Sequence, residues 1–428
     1  TLNGGTLSSS GNTYSEGNWI FNGDVTVGGS ALSTISGYAV GSKSGGGTYN
    51  VADSVAGSGT DLLVTANMVD ASGGSYLTKT GAGTMTVTGA ISYTGDTNIN
   101  GGVLEIESVS GWKGVDTSAF NINNGSTLLF TRNGGNGFIL NANDPINFGS
   151  SGGGTLDTNA ASSNNFVVRG STFSTQGGAG NTIQGSFNMD AGDLTFNVAD
   201  GTDASDLSVS AILTNSAGIV KQGAGTMELT GVNTYSGATT ISAGTLEIGG
   251  SGQLDSGSYA QAIANNGTFN YNSSADQTLS GLISGSGAVV KDNSGNLTIT
   301  ASNTYSGGTT INGGTVILAS GASEDALGSG AVTMNSGGSL QLWISAGGNH
   351  NIDNDFTMDG GTVYSKDGQY NLTGTMTLNA GGGTLGGTWS DKHIQVSGVI
   401  SGAGGLTIVD FPSSQNGDVI LSGVNTYT

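Results

Sequence analysis

The sequence predicts an all-β protein, a single long parallel β-helix (β-solenoid) occupying residues 1–428. Three observations carry this. A stretch of about thirty residues recurs along the chain. Apolar residues alternate with polar ones in short runs, the period of a strand with one face in and one face out. Glycine falls between the runs, where a tight bend needs positive φ or has no room for a side chain.

The fullest copy of the recurring stretch spans residues 219–248, with others at 77–106 and 289–318 and a truncated one at 418–428. In it Thr239 and Ile241, then Leu246 and Ile248, place apolar or β-branched residues at every other position. Met227, Leu229, Ile241 and Leu246 are expected to point inward, with Glu228 and Glu247 outward. Gly223, Gly225, Gly237 and Gly244 mark the bends, while Asn233 and Tyr235 sit at fixed repeat positions with a packing or turn role. Strands this short cannot form a sheet alone. They need equivalent strands from the next coil, which a solenoid supplies while burying a continuous apolar interior.

The pattern in Lys221, Gly223, Gly225, Thr226, Leu229 and Gly231, then Asn233, Thr234, Tyr235 and Gly237, then Thr239, Gly244, Thr245 and Leu246 resembles the passenger-associated transport repeat. That repeat is found in the secreted passenger domains of bacterial autotransporters. The copy at 77–106 departs at Ile91 and Ser92, where Asn-Thr is expected, and the copy at 289–318 has Asp292, Asn293 and Ser294 where the hinge carries glycine. The resemblance implies a right-handed β-helix, exposed or released outside the outer membrane of a Gram-negative bacterium. It also implies a membrane β-barrel in the full-length protein. No ten-residue strands with aromatic girdles are visible, so that barrel is expected outside this chain. The chain begins within a strand-like segment and ends within a repeat, which reads as an excised or processed piece.

Composition agrees. Glycine contributes 80 residues, about three times the average share, with proline at only 2 and cysteine at 0. Collagen fails for want of a strict period of three, and disorder fails because 35% of residues are hydrophobic and only 9% charged. Nine basic residues against 30 acidic ones give a net charge of −21. That argues against nucleic acid and against docking on an anionic membrane. No long apolar run and no signal peptide is present.

In chain order, strand candidates are Trp19–Phe21, Val25–Val27, Leu62–Val64, Met68–Val69, Phe120–Ile122, Thr127–Thr131, Phe138–Leu140, Phe166–Val168, Thr182–Ile183, Phe187–Met189 and Leu194–Val198. Residues 256–264 read as a short helix or a protruding loop. Beyond the third copy come Val332–Met334, Leu340–Trp343, Phe356–Met358, Met376–Leu378, Ile394–Val396 and Leu406–Ile408. At about 20 to 22 residues per coil, the chain holds about 20 coils, roughly 95 Å of stacked strands.

Chemistry is sparse in this pattern. Without cysteine there is no thiol nucleophile or zinc-thiolate site. His350 and His393 lie about two coils apart, with His350 in a stretch that reads as a turn, and no nucleophile elbow accompanies them. Asp353, Asp355 and Asp359, or Asp200, Asp203 and Asp206, could hold calcium, but neither group has an EF-hand spacing. We read them as turn residues. Trp19, Trp112, Trp343 and Trp389 could stack on sugars or fill the interior. Threonine rows such as Thr84, Thr86 and Thr88 are too irregularly spaced for a flat Thr-x-Thr array.

Catalytic, metal and cofactor residues are therefore expected to be absent. The favoured reading is an adhesin or self-associating passenger for cell aggregation, attachment or biofilm. Its partner would be a host surface, extracellular matrix, a glycan or a second copy. The alternative is a secreted β-helix lyase or hydrolase acting on polysaccharide.

Overall fold

The computed structural model describes residues 1–11, 18–42, 46–54, 59–70, 74–108, 112–114, 118–132, 137–159, 166–178, 180–344, 349–387, 393–410 and 418–427. The chain forms two compact units, Thr1–Met227 and Glu228–Thr428. Each is a parallel β-solenoid.

In the first unit, one face runs from Leu2–Asn3 through Leu77–Thr80 and Phe120–Ile122 to Ile219–Gln222. A second runs from Thr6–Leu7 through Val103–Ser108 to Leu207–Val209. A third face is split between a sheet ending at Ile91–Ser92 and another beginning at Trp112–Gly114. The second unit carries an eight-stranded sheet from Ser258–Tyr259 to Leu406–Asp410 and a four-stranded one from Asn349–Ile352 to Val419–Leu421. A further ladder runs from Thr245–Ile248 to Ile400–Gly402. Among the described residues there is no α-helix. The stretch read as helix or loop is a 3-10 turn at Asp255–Gly257 followed by the strands Ser258–Tyr259 and Ile263–Asn265.

Alternation places the interior. In the first unit Leu104, Leu128, Leu156, Ile183 and Val209 succeed one another in register, all fully buried. Beside them phenylalanines stack: Phe166 on Phe187 at 5.4 Å, Phe187 on Phe173 at 5.7 Å and Phe173 on Phe196 at 5.2 Å between ring centroids. In the second unit Val332, Phe356, Met376 and Ile400 form the matching column. Stacking identical positions keeps each buried ring or branched chain in contact with its own kind above and below.

Coil length is more variable than the expected 20 to 22. Leu77 pairs with Thr97, 20 positions on (97 − 77), but Gly47 pairs with Leu77, 30 positions on (77 − 47). The corners between strands take up the difference. The strands Ile146–Phe148, Thr155–Asp157 and Thr172–Thr175 were not legible as strands, because polar residues outnumber apolar ones in and around them. Met227, Leu229, Ile241 and Leu246 are fully buried as expected, and Glu228 and Glu247 lie half-buried on the outside.

Candidate interaction surface

The repeat builds a corner, and lysine is at its centre. Lys79, Lys221 and Lys291 occupy the same repeat position and are completely buried. Lys79 Nζ donates to the carbonyls of Thr80 at 3.1 Å, Gly81 at 2.9 Å and Gly101 at 2.8 Å. Lys221 donates to Gln222 at 3.0 Å and Gly223 at 2.9 Å. Lys291 donates to the carbonyls of Asp292, Asn293 at 2.8 Å and Gly313 at 3.2 Å. Burial pushes each ammonium down to about 8. Carboxylates of the preceding coil, Asp61 for Lys79 and Asp206 for Lys221, act in the opposite sense.

Those carboxylates also fasten the backbone. Asp61 Oδ2 accepts from Thr84 N at 2.8 Å, Asp206 Oδ2 from Thr226 N at 2.7 Å, and Asp276 Oδ1 from Asn296 N at 2.8 Å. The glycine just before each of these amides is required. A Cβ on Gly83, Gly225 or Gly295 would fall 2.4, 2.5 or 2.0 Å from the carbonyl oxygen of Ala52, Ala199 or Ala275. Two residues earlier, Gly81 and Gly223 adopt φ of +77° and +76°. The third copy has Asn293 there at φ 55°, and asparagine is the side chain that tolerates this region best.

Tyr93, Tyr235 and Tyr305 fill the interior and bond the hydroxyl of the threonine four residues on, Tyr235 to Thr239 at 2.8 Å and Tyr305 to Thr309 at 2.6 Å. Asn233 is fully buried and donates to Gly231 O at 3.0 Å. Asn303 accepts from Ile283 N at 2.7 Å, and Asn425 of the truncated copy makes the corresponding bond to Ile400 N at 3.2 Å. In the first copy Ile91, in the asparagine's place, is buried and paired with Met68. Gly237 O accepts from Tyr259 Oη at 2.6 Å, and Gly244 turns the chain at φ +66°. These contacts of Gly223, Gly225, Asn233, Tyr235 and Gly237 lie within the solenoid itself.

What remains for contact with other molecules is the outside. On the first unit one in-register row reads Thr48, Thr78, Asn98, Asn121, Asn147, Ser174, Asn197 and Gln222. Asn121 donates to Asn98 Oδ1, and Asn147 to Asn121 Oδ1, each at 2.9 Å. A parallel step joins Asn123 to Asn100 at 2.9 Å. On the second unit Thr310, Thr333, Thr357, Thr377 and Ser401 stand in register on successive coils. Their irregular spacing in sequence concealed a regular array in space, since corners of unequal length separate strands of equal pitch. The upstream members of this column are Glu247, Asn270 and Val290, with Asn270 Nδ2 on Glu247 Oε2 at 3.0 Å. Burial, and then Glu247, raise the carboxyl of Glu228.

The remaining candidates are placed as follows. His350 lies in the strand Asn349–Ile352, not in a turn, because its neighbours pair with Gln369–Leu372. Its Nδ1 is 3.2 Å from Glu324 Oε1 and its ring 5.5 Å from that of Tyr370. His393 meets the same tyrosine through its backbone carbonyl, which accepts from Tyr370 N at 3.0 Å. Asp355 accepts from Thr375 N at 2.7 Å, and Asp359 from Gly381 N at 2.8 Å, so these acids tie one coil to the next. Among the described residues no three His, Asp or Glu side chains gather as a metal site. Trp19 donates to Ser36 O at 3.1 Å, and Lys366 covers the Trp343 ring at 4.1 Å. The Trp112 side chain and Trp389 lie outside the described residues.

Residues 77–106, 219–248 and 289–318 match the passenger-associated-transport-repeat family. With the solenoid that these repeats build, the chain is an autotransporter passenger segment, a cell-surface or secreted part lying outside the outer membrane. It is similar to the Adhesin BmaC autotransporter of Brucella suis biovar 1 (strain 1330), 30% identical over 331 residues, or 64% of this chain. The chain spans 9% of the length of that relative. No solved structure matches the chain.

Proposed function

We propose that this passenger segment is adhesive, joining the cell that bears it to another surface by contact and without turning over a substrate. One observation carries the reading: the outward rows of uncharged amides and hydroxyls, eight residues long from Thr48 to Gln222, repeated once per coil. Neighbouring strands are about 4.8 Å apart, so each row offers an uncharged hydroxyl or amide at a fixed interval. Individually weak hydrogen bonds then sum through multivalency. The similarity to a protein named as an adhesin supports the same reading. Partners of the fitting chemistry are glycans, matrix proteins or a second copy of the chain.

Display of the segment on a non-adherent cell, with aggregation and attachment scored across a salt series, tests this. Displayed cells are expected to clump or attach. With a net charge of −21, self-association should strengthen as salt screens repulsion, whereas attachment to a basic partner should weaken. Cells that do neither, alongside release of reducing sugar from a polysaccharide by the purified chain, would replace adhesion with catalysis.

A further inference from the structure

We propose that Tyr76, Asp96 and Asn98 form a binding site for a neutral sugar ring on the first unit. This deepens the adhesive reading and rests on it. The three residues line a shallow, open depression together with Gly74 and Gly95. Leu77 pairs with Thr97 and Thr78 with Asn98, and Leu77 N donates to Asp96 O at 3.0 Å. Tyr76 and Asp96 therefore sit side by side on adjacent coils, one step before the row that continues through Asn121 and Asn147.

The fold does not need these side chains. The residues equivalent to Tyr76 and Asp96 are Gly218 and Ala238 in the second repeat copy, and Ala288 and Gly308 in the third. The same corner closes there with no side chain larger than a methyl. In the first copy alone it carries a phenol and a carboxylate. Tyr76 is 42% exposed, although a large aromatic ring gains most from burial. The ring lies against Gly46, where any Cβ would come within 2.4 Å of it. Glycine at 46, with φ +80°, holds room for the ring.

The polar groups around the ring are available. Among the described residues nothing bonds the Tyr76 hydroxyl or the Asp96 carboxylate, and Asn98 uses only its Oδ1, which accepts from Asn121 Nδ2 at 2.9 Å. A rigid aromatic platform, one carboxylate acceptor and one amide donor match a pyranose. The sugar's C–H face covers the ring, one hydroxyl donates to Asp96, and another accepts from Asn98 Nδ2. A net charge of −21 disfavours uronic acids and sialic acids and selects a neutral sugar.

The test uses the full chain against cellotetraose, lacto-N-tetraose and, as the acidic comparison, a hyaluronan oligosaccharide, by glycan array and saturation-transfer NMR. Saturable binding to at least one neutral probe and none to hyaluronan is expected. Tyr76→Ala should weaken it by about tenfold or more, and Asp96→Ala comparably, whereas Tyr76→Phe should stay within about threefold. Thermal melting of each variant checks that the coil is intact. No binding to either neutral probe, or equal binding by wild type and Tyr76→Ala, overturns the site. Cell display scores the adhesive reading separately. Wild-type cells that fail to attach while array binding persists would sink that reading and leave the site standing. Attachment that falls together with array binding in Tyr76→Ala cells supports both, whereas attachment retained after array binding is lost would overturn the site's part in adhesion.

Discussion

Burying an ammonium group is costly, and it is tolerated only where every proton finds an acceptor. The carbonyl cages of Lys79, Lys221 and Lys291 meet that condition, and they also satisfy backbone oxygens that the corner would leave unpaired. Lys221→Met keeps the stem but removes the ammonium from Gln222 O and Gly223 O. It is expected to cost ~2 kcal/mol in urea unfolding, since Gly223 O loses its lysine donor while Gln222 O keeps its bond from Val198 N at 2.9 Å. An unchanged midpoint would make the lysine a mere space-filler. A pH series gives a second check. The folded lysines release their protons near pH 8, while the unfolded ones hold theirs to about 10.5. Between these values the unfolded chain binds more protons, so stability should rise with pH. Tyr93, Tyr235 and Tyr305 are held protonated by burial. Above about pH 10 their ionisation in the unfolded chain should reverse the trend. A stability curve that is flat or falling from pH 8 to 10 would mean that the carbonyl cages outweigh the cost of burial and hold the ammonium groups charged. In the interior, Leu246→Asp places an unpaired charge at a fully buried position. A loss of ~4 kcal/mol or more is expected, and a wild-type melting curve would reject the inward assignment.

At the scale of the element, the hinge before each second strand has two kinds of demand. Position 293 asks chiefly for a residue that tolerates the left-handed region, since the side-chain bonds of Asn293, from Ser294 N at 2.8 Å and to Asn272 O at 3.3 Å, are exposed to water. Asn293→Gly should therefore stay within ~0.5 kcal/mol of wild type, while Asn293→Val should lose ~2 kcal/mol to strain. Equal effects would show that the left-handed turn is not what the position selects. Gly225 faces a different constraint, the 2.5 Å approach to Ala199 O, so even alanine should cost ~3 kcal/mol there. The sequence made the glycines, the alternation and the inward residues legible, because a solenoid reads out as period two broken by bends. It did not reveal the lysine cages. A lysine with a place in a repeat looks the same whether its tip lies in water or among carbonyls, although its recurrence at 79, 221 and 291 was the available signal. His350 was misplaced in a turn because Gly, Asn and Asp surround it, and only the pairing with Gln369–Leu372 makes that stretch a strand. The outward rows were hidden for another reason: register is a property of pairs of coils, and no single window contains it.

For the whole molecule, circular dichroism should show a β spectrum with far less than the ordinary one-third of helix. More than about a fifth helix is incompatible with the strands described. That residues 1–428 form one uninterrupted domain is a further proposal. Limited proteolysis tests it: a single protected body is expected, and early release of separate pieces from either side of residue 227 would count against it.

The corners between strands hold 20-residue and 30-residue coils to the same lateral pairing. Such a chain keeps time by strands and not by residues. An insertion or deletion at a corner changes what protrudes there while the columns on either side stay aligned. Variation in length thereby becomes a route to new surfaces that leaves the scaffold's alignment untouched. Point substitution in the columns offers no such freedom, because each side chain there answers to one above and one below.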